Sequence, residues 1–244
     1  PWYAAAGPSP PTPRRSSIAC RARRSRSSTA SPDRGLRTLV IETAAAACSV
    51  ALIEGTRIVA HAHEIVGRGH AERLVPMIAA LPEGGRADHI LVDCGPGSFT
   101  GIRVGIAAAR GLALGWGASL SGYSSLPLLA AAAFSRGMTG EIAVVLEGGH
   151  GEVFMQGFSA PLAETGPFAS LRPEVALATL NGRPAVGNGV RFLTALDPTV
   201  AAEAWLPDAM DAVLLTPGLA GLEPKPIYGR APDAKPQATA EAAA

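Results

Sequence analysis

This 244-residue sequence predicts an α/β fold of two lobes built from one repeated unit, and three observations carry that prediction. Short β-branched runs joined by tight turns occur near the start of the body and again past its middle. Stretches with helical apolar spacing alternate with those runs. A Gly-rich hairpin connection in the second set then echoes the meander of the first.

Taken in order, Leu39-Val40-Ile41-Glu42-Thr43 is a strand, followed by a small-residue turn at 44–47 and a second strand at 48–53. Glu54-Gly55-Thr56-Arg57 carries a Gly turn and 58–66 makes a third strand, so the three form an antiparallel meander ended by Gly67-Arg68-Gly69. Over 70–81, Leu74, Met77, Ile78 and Leu81 recur at i, i+3, i+4 and i+7, with Glu72 and Arg73 on the other side. Pro76 should bend that helix or confine it to its late turns. A buried-type strand at 89–93 leads into Gly95-Pro96-Gly97-Ser98, and a second helix runs over 99–114 with Ser98 as its N-cap. There follow a strand near 119–123, an alanine-rich helix at 125–134, and strands at 142–146 and 153–158. The last two flank Glu147-Gly148-Gly149-His150-Gly151-Glu152. Beyond about residue 160 the signals fade to a Gly187-Asn188-Gly189 turn and a Pro-rich tail. The order β-β-β-α-β-α, then a hairpin again, is that of the duplicated actin-like or sugar-kinase-like (ribonuclease H-like) fold. The expected division is 1–35 outside the fold, 36–136 as a first lobe and 137–244 as a second lobe with its tail.

Composition narrows the function classes. No apolar run reaches the ~18 residues of a membrane span, and 102–114 is interrupted by Arg103 and Arg110, so a soluble, cytoplasmic protein is expected. Residues 1–35 hold seven of the 21 basic residues against Asp33 alone, which leaves the body net acidic. A net acidic body argues against a dedicated tRNA-binding module, because phosphate contacts need clustered Lys and Arg. The opening segment itself is Pro-, Ser- and Arg-rich without apolar periodicity and reads as disordered. It fits a transit peptide or, preferred here, a misassigned start, with the native chain opening near Leu36. Cys20, Cys48 and Cys94 are too few and scattered for a disulfide framework or zinc knuckle; the last two read as small buried hydrophobes.

The most specific string is Gly95-Pro96-Gly97-Ser98-Phe99-Thr100-Gly101-Ile102-Arg103-Val104-Gly105. It is not a P-loop, since no Gly-Lys-Ser/Thr follows, nor a Rossmann fingerprint, since no acidic residue ends a second parallel strand downstream. Gly101, Gly105 and Ala109 lie four apart, with Ala108, Leu112 and Gly115 continuing the surface. Such glycines each cost up to ~1 kcal/mol relative to Ala, a cost that makes sense where another backbone must come close. Spacing alone leaves that neighbour open between this chain and another subunit.

From Leu36 to about Gln237 the sequence resembles the TsaB family of the glycoprotease-like (Gcp-like) group. The matching pieces are Leu39-Val40-Ile41-Glu42-Thr43-Ala44 with Cys48-Ser49-Val50-Ala51-Leu52, His70-Ala71-Glu72 with Leu74-Val75-Pro76-Met77-Ile78, and the whole 95–105 string extended to Gly111-Leu112-Ala113. Pro226-Ile227-Tyr228 with Arg230-Ala231-Pro232-Asp233-Ala234-Lys235-Pro236 fits the family's closing segment. Glu42 and Glu147 stand where the family commonly has aspartate, and Gly229 breaks a Tyr-Leu-Arg pattern. The resemblance implies a non-catalytic subunit that pairs with and activates a TsaD-like catalytic homologue, with a TsaE-like ATPase joining. TsaD transfers a threonylcarbamoyl group to the adenosine 3′ of the tRNA anticodon, so tRNA is met through the complex, and ATP and metal are used by partners.

The implied partner surface comprises His70, Glu72, Leu74, Met77 and Ile78 on the first helix and Phe99, Gly101, Ile102, Gly105, Ala108, Ala109 and Leu112 on the second, which also serve a homodimer when TsaD is absent. A vestigial nucleotide site is expected at Glu42, Thr43, Glu147, Gly148 and Gly149, the first turn having no glycine for close approach of a phosphate. No catalytic residue, cofactor or metal is expected. His61 and His63 share a strand face, but position 74 holds Leu74 where a His-x-x-x-His pair starting at His70 would need its second histidine. The competing readings are a stand-alone nucleotide-dependent enzyme of the sugar-kinase class and a glycoprotease-like factor. The latter lacks His-Glu-x-x-His and a nucleophile signature.

Overall fold

A computed structural model describes residues 35–229. The expectations for 1–34 and for the tail motif from Arg230 onward lie outside the described residues.

The first sheet begins with the predicted meander, β1 (Arg37–Glu42), β2 (Ala47–Glu54) and β3 (Arg57–Ile65). Helix α1 (His70–Ala80) then leads to β4 (His89–Asp93), α2 (Phe99–Trp116) and β5 (Ser119–Tyr123). Strand order is β3-β2-β1-β4-β5, with β1 antiparallel to β2 and parallel to β4. Both faces of the central strands are covered, which is why β1 reads as a continuous apolar run. Leu39 and Ile41 meet α1 and α2 through Leu74, Met77, Ile78, Ile102 and Ile106. Val40 and Leu91 face the opposite way, toward Leu128, Ala209 and Ala212.

Pro76 does not confine α1 to its late turns; the helix runs from His70 through it. The ring removes the N–H that would bond the Glu72 carbonyl, but Glu72 and Pro76 both lie on the solvent side, where water can satisfy that carbonyl.

Helix α3 (Ser125–Ser135) crosses between the two sheets. Leu126, Leu129, Ala130 and Ala133 pack with the second sheet's Ile142, Val144, Leu146 and Phe158, while Leu128 belongs to the first. A helix apolar all round is a helix buried all round. The second sheet contains β6 (Glu141–Glu147), β7 (Val153–Ser159), β8 (Ala163–Glu164), β9 (Ala169–Leu171), β10 (Ala185–Val186) and β11 (Ala202–Glu203). Its order, β11-β10-β6-β7-β8 with β9 also on β7, repeats the first: three antiparallel strands extended by parallel strands on the other side. This is the duplicated actin-like α/β architecture. Two helices the sequence left unread, α4 (Pro173–Leu180) and α5 (Val190–Leu196), complete it. At seven and eight residues each, they offer too few buried positions for a period to register.

Finally the chain returns to the first lobe. A 3-10 turn at Ala209–Leu214, capped by the Asp208 side chain, lies on the first sheet. Beyond it, Leu222 bridges Gly122, and the Ile227 N–H donates to the Cys94 carbonyl at 2.7 Å. No helix among the described residues is long and apolar enough to cross a membrane.

Candidate functional site: an interlobe cleft and a bare helical face

The carboxyl ends of β1, β4 and β5 put Glu42, Asp93 and Tyr123 side by side, because Ile41 pairs with Val92 and Asp93 with Tyr123. All three are buried. Glu42 Oε1 accepts from the Ala44 N–H at 2.9 Å and Oε2 from the Tyr123 hydroxyl at 2.9 Å. Asp93 accepts from the Gly95 N–H and the Ser125 hydroxyl, each at 2.9 Å. Burial, reinforced by the Asp93 charge, holds the Glu42 carboxyl far above its ordinary range, and burial pushes Asp93 up to about 6. Two carboxyl groups in one dry site cannot both ionise freely, so both are raised and titrate as a pair. Burial likewise pushes the thiols of Cys48 and Cys94 up to about 11 and about 12, so both are inert packing residues.

Above this buried row lies a cleft of about 830 Å³ between the lobes. Its walls include the first-lobe turn Ala44, Ala45 and Ala46, the loop Gly97-Ser98, and the second-lobe turn Glu147, Gly148, Gly149 and His150. The structure therefore brings Glu147, Gly148 and Gly149 to the cleft. The Glu147 carboxylate pairs with Arg191 at 2.6 Å, and its N–H donates to Asn188. Glu42 and Thr43, expected in the same vestigial site, are a correction: they lie fully buried behind the cleft wall, held by the partners just described and by Gly101.

Sequence reasoning missed one corner of this cleft. The Arg103 guanidinium stacks 3.5 Å above the Phe99 ring and donates to the Tyr228 hydroxyl at 2.9 and 3.2 Å. Phe99 and Arg103 are consecutive on one side of α2, but Tyr228 arrives from the returning segment, for which no local pattern exists.

The glycine ladder resolves inside the chain. Thr43 Oγ1 donates to the Gly101 carbonyl at 2.8 Å. A Cβ at Gly101 would overlap the Thr43 carbonyl oxygen, and one at Gly105 would overlap Thr43 Oγ1. The close-approaching backbone is thus the end of β1. This corrects the expected partner surface. Gly101, Ile102, Gly105 and Ala109, like His70, Leu74, Met77 and Ile78, are buried against the first sheet and offer little surface to another subunit. Apolar periodicity marks the face a helix buries, and that face is spent on this chain's own core. Glu72 and Phe99 are exposed, and Ala108 and Leu112 half-buried.

What remains outward is a second, bare stripe. On α1 it presents Val75, Pro76 and Ala79; on α2 Ala107, Gly111, Leu114 and Gly115. Val75 is 55% and Leu114 88% exposed, and a Cβ added at Gly111 or Gly115 would meet nothing. The two helices pack on the same side of the sheet, so the stripes are neighbours.

Comparison with known proteins gives these features their context. The family model TsaD, tRNA N6-adenosine threonylcarbamoyltransferase, matches residues 60–165. The tRNA threonylcarbamoyladenosine biosynthesis protein TsaB of Escherichia coli is 36% identical over 124 residues, 49% of this chain and 53% of that protein. An uncharacterised protein of Mycobacterium tuberculosis is 30% identical over 212 residues, 82% of this chain and 94% of its own length. The solved structure of YeaZ from Pseudomonas aeruginosa superposes with a TM-score of 0.67 at 29% identity, over 79% of this chain and 99% of that one. The chain belongs to the TsaB family. Its alignments to the curated TsaB proteins span about half of their length. The stretch matched by the family model runs from β3 to just past β8, and so contains both stripe-bearing helices and the second-lobe turn of the cleft.

Proposed function

We propose that this TsaB-family chain is a non-catalytic subunit for threonylcarbamoylation of the adenosine 3′ of the tRNA anticodon, pairing with and activating a TsaD-like homologue. In this reading the TsaE-like ATPase and tRNA join through the complex, ATP and catalytic metal belong to the partners, and the chain works in the cytoplasm. The observation that supports it best is the bare stripe of Val75, Ala79, Ala107, Gly111, Leu114 and Gly115. Small residues there let a partner's helices come close, and a Leu exposed to 88% on an ordered helix has a reason to be there if it is covered in an assembly. A homodimer through the same stripe, without TsaD, would be isologous.

The test uses side chains that point away from the fold. Val75→Arg combined with Leu114→Arg should leave the unfolding free energy of the isolated subunit, from urea titration, within about 0.5 kcal/mol of the parent, as surface changes do. Co-purification with the TsaD-like protein should be lost, and with it tRNA modification in a reconstituted mixture. A double variant that still co-purifies and supports modification removes the stripe from consideration as the pairing surface.

The cleft favours one competing reading, a nucleotide-dependent enzyme. Against it stand three alanine Cβ atoms where a phosphate would need bare backbone, and an acid, Glu42, that is fully buried and held by Ala44 and Tyr123.

A further inference from the structure

Outside the cleft and the stripe, three side chains converge from opposite ends of the chain. His61 and His63 lie two apart on β3, an edge strand, and so share a face. Asp208, 147 residues beyond His61, caps the 3-10 turn that returns to this sheet. His61 Nε2 is 2.7 Å from Asp208 Oδ1 and His63 Nδ1 is 3.2 Å from Oδ2. All the donor atoms lie within 4.8 Å of one another.

The hydrogen bonding within the cluster is lopsided. Asp208 Oδ1 accepts from His61, from the Ser49 hydroxyl at 3.0 Å and from the Met210 N–H at 3.0 Å. His63 Nδ1 faces the other oxygen yet is buried without a hydrogen-bond partner, the angle being wrong for one. A desolvated imidazole nitrogen aimed at a carboxylate oxygen is an expensive arrangement for a plain polar cluster. It suits a cation lying between them.

We propose that His61, His63 and Asp208 form a divalent transition-metal site, with zinc as its best-fitting occupant. Two imidazoles and a carboxylate match zinc's preference for nitrogen and oxygen donors, and water completes four-coordination. Tetrahedral bonds of 2.0–2.1 Å place ligand atoms about 3.3 Å apart, so a contraction of the present cluster by no more than about 1.5 Å suffices. Ser49 and the Met210 N–H hold Asp208 in place from outside, as ligating carboxylates are usually held. The third donor, Asp208, lies 147 residues beyond His61, so spacing along the chain does not bring it to the two strand histidines. The consequence is mechanical. Bound metal would tie the Asp208 turn to the edge of the first sheet, bracing the point where the chain crosses back from the second lobe.

Untagged full-length protein, stripped with chelator, is titrated with ZnCl₂ by calorimetry and melted with and without the metal. The parent should bind one Zn²⁺ per chain and melt at a higher temperature when loaded. Cobalt should give the visible absorption of a tetrahedral nitrogen–oxygen site. His63→Ala should weaken binding by about 100-fold or more, beyond what loss of an outer partner costs. Asp208→Asn should do the same, and its amide can still cap Met210, so the turn stays folded. If zinc leaves the parent's melting unchanged, or if Asp208→Asn binds zinc as the parent does, the site is refuted.

Discussion

At the scale of single residues, the Glu42–Asp93 pair makes two buried acids part of the fold. Glu42 keeps its proton in the fold at pH values where the unfolded chain has released it. Across that window the folded state binds more protons, so stability falls as pH rises from near 4.5 upward. Asp93, raised to about 6, contributes in the same direction but only up to about pH 6. Glu42→Gln mimics the protonated acid: it can still accept from Ala44 and donate to Asp93, while the Tyr123 hydroxyl turns to the Ile41 carbonyl, already 3.3 Å away. Unfolding free energies from urea titrations at pH 5 to 8 should show the variant gaining on the parent as pH rises, by up to about 1.4 kcal/mol per pH unit. A constant difference across that range would mean Glu42 is ionised in the fold. None of this was legible beforehand, since Glu42, Asp93 and Tyr123 end three different strands whose pairing only the sheet supplies.

At the scale of the element, α2 carries glycines of two kinds that sequence spacing cannot tell apart. Gly105 meets Thr43, whereas Gly111 meets nothing. Gly→Ala in a helix ordinarily stabilises by up to ~1 kcal/mol. Gly111→Ala should therefore raise the stability of the isolated subunit by about that much. Gly105→Ala should lower it, because overpacking against Thr43 costs about 1–3 kcal/mol and outweighs the helix-propensity gain. Denaturant titration of the two variants side by side decides between them, and equal signs would contradict the assigned faces. A bulky Gly105→Leu would thus unfold the subunit rather than separate two subunits. The helical period was correct, yet it pointed to the buried side; the proposed pairing side is marked by exposed Val75 and Leu114, whose exposure only the packing defines.

On the scale of the whole molecule, the proposed role carries an expectation for the cleft. With Ala44, Ala45 and Ala46 on one wall and Glu147 paired to Arg191 on the other, isolated protein should bind ATP no tighter than about millimolar, a free energy near −4 kcal/mol. Sub-micromolar ATP binding by calorimetry would instead favour the stand-alone enzyme. The sequence by itself determined the first sheet, its helices and the β6–β7 hairpin almost to the residue, because β-branched runs, Gly turns and the Ser98 cap act over a few neighbours. It also determined the family, through the unbroken 95–105 string. Tertiary structure alone decided which face of α2 is inside, that Glu42 is a core residue, and that α4 and α5 exist. It alone joined Tyr228 to Arg103, and Asp208 to His61 and His63. Those contacts join residues more than a hundred positions apart, and what fixes them is the return of the chain across the first sheet, which no local pattern of residues encodes.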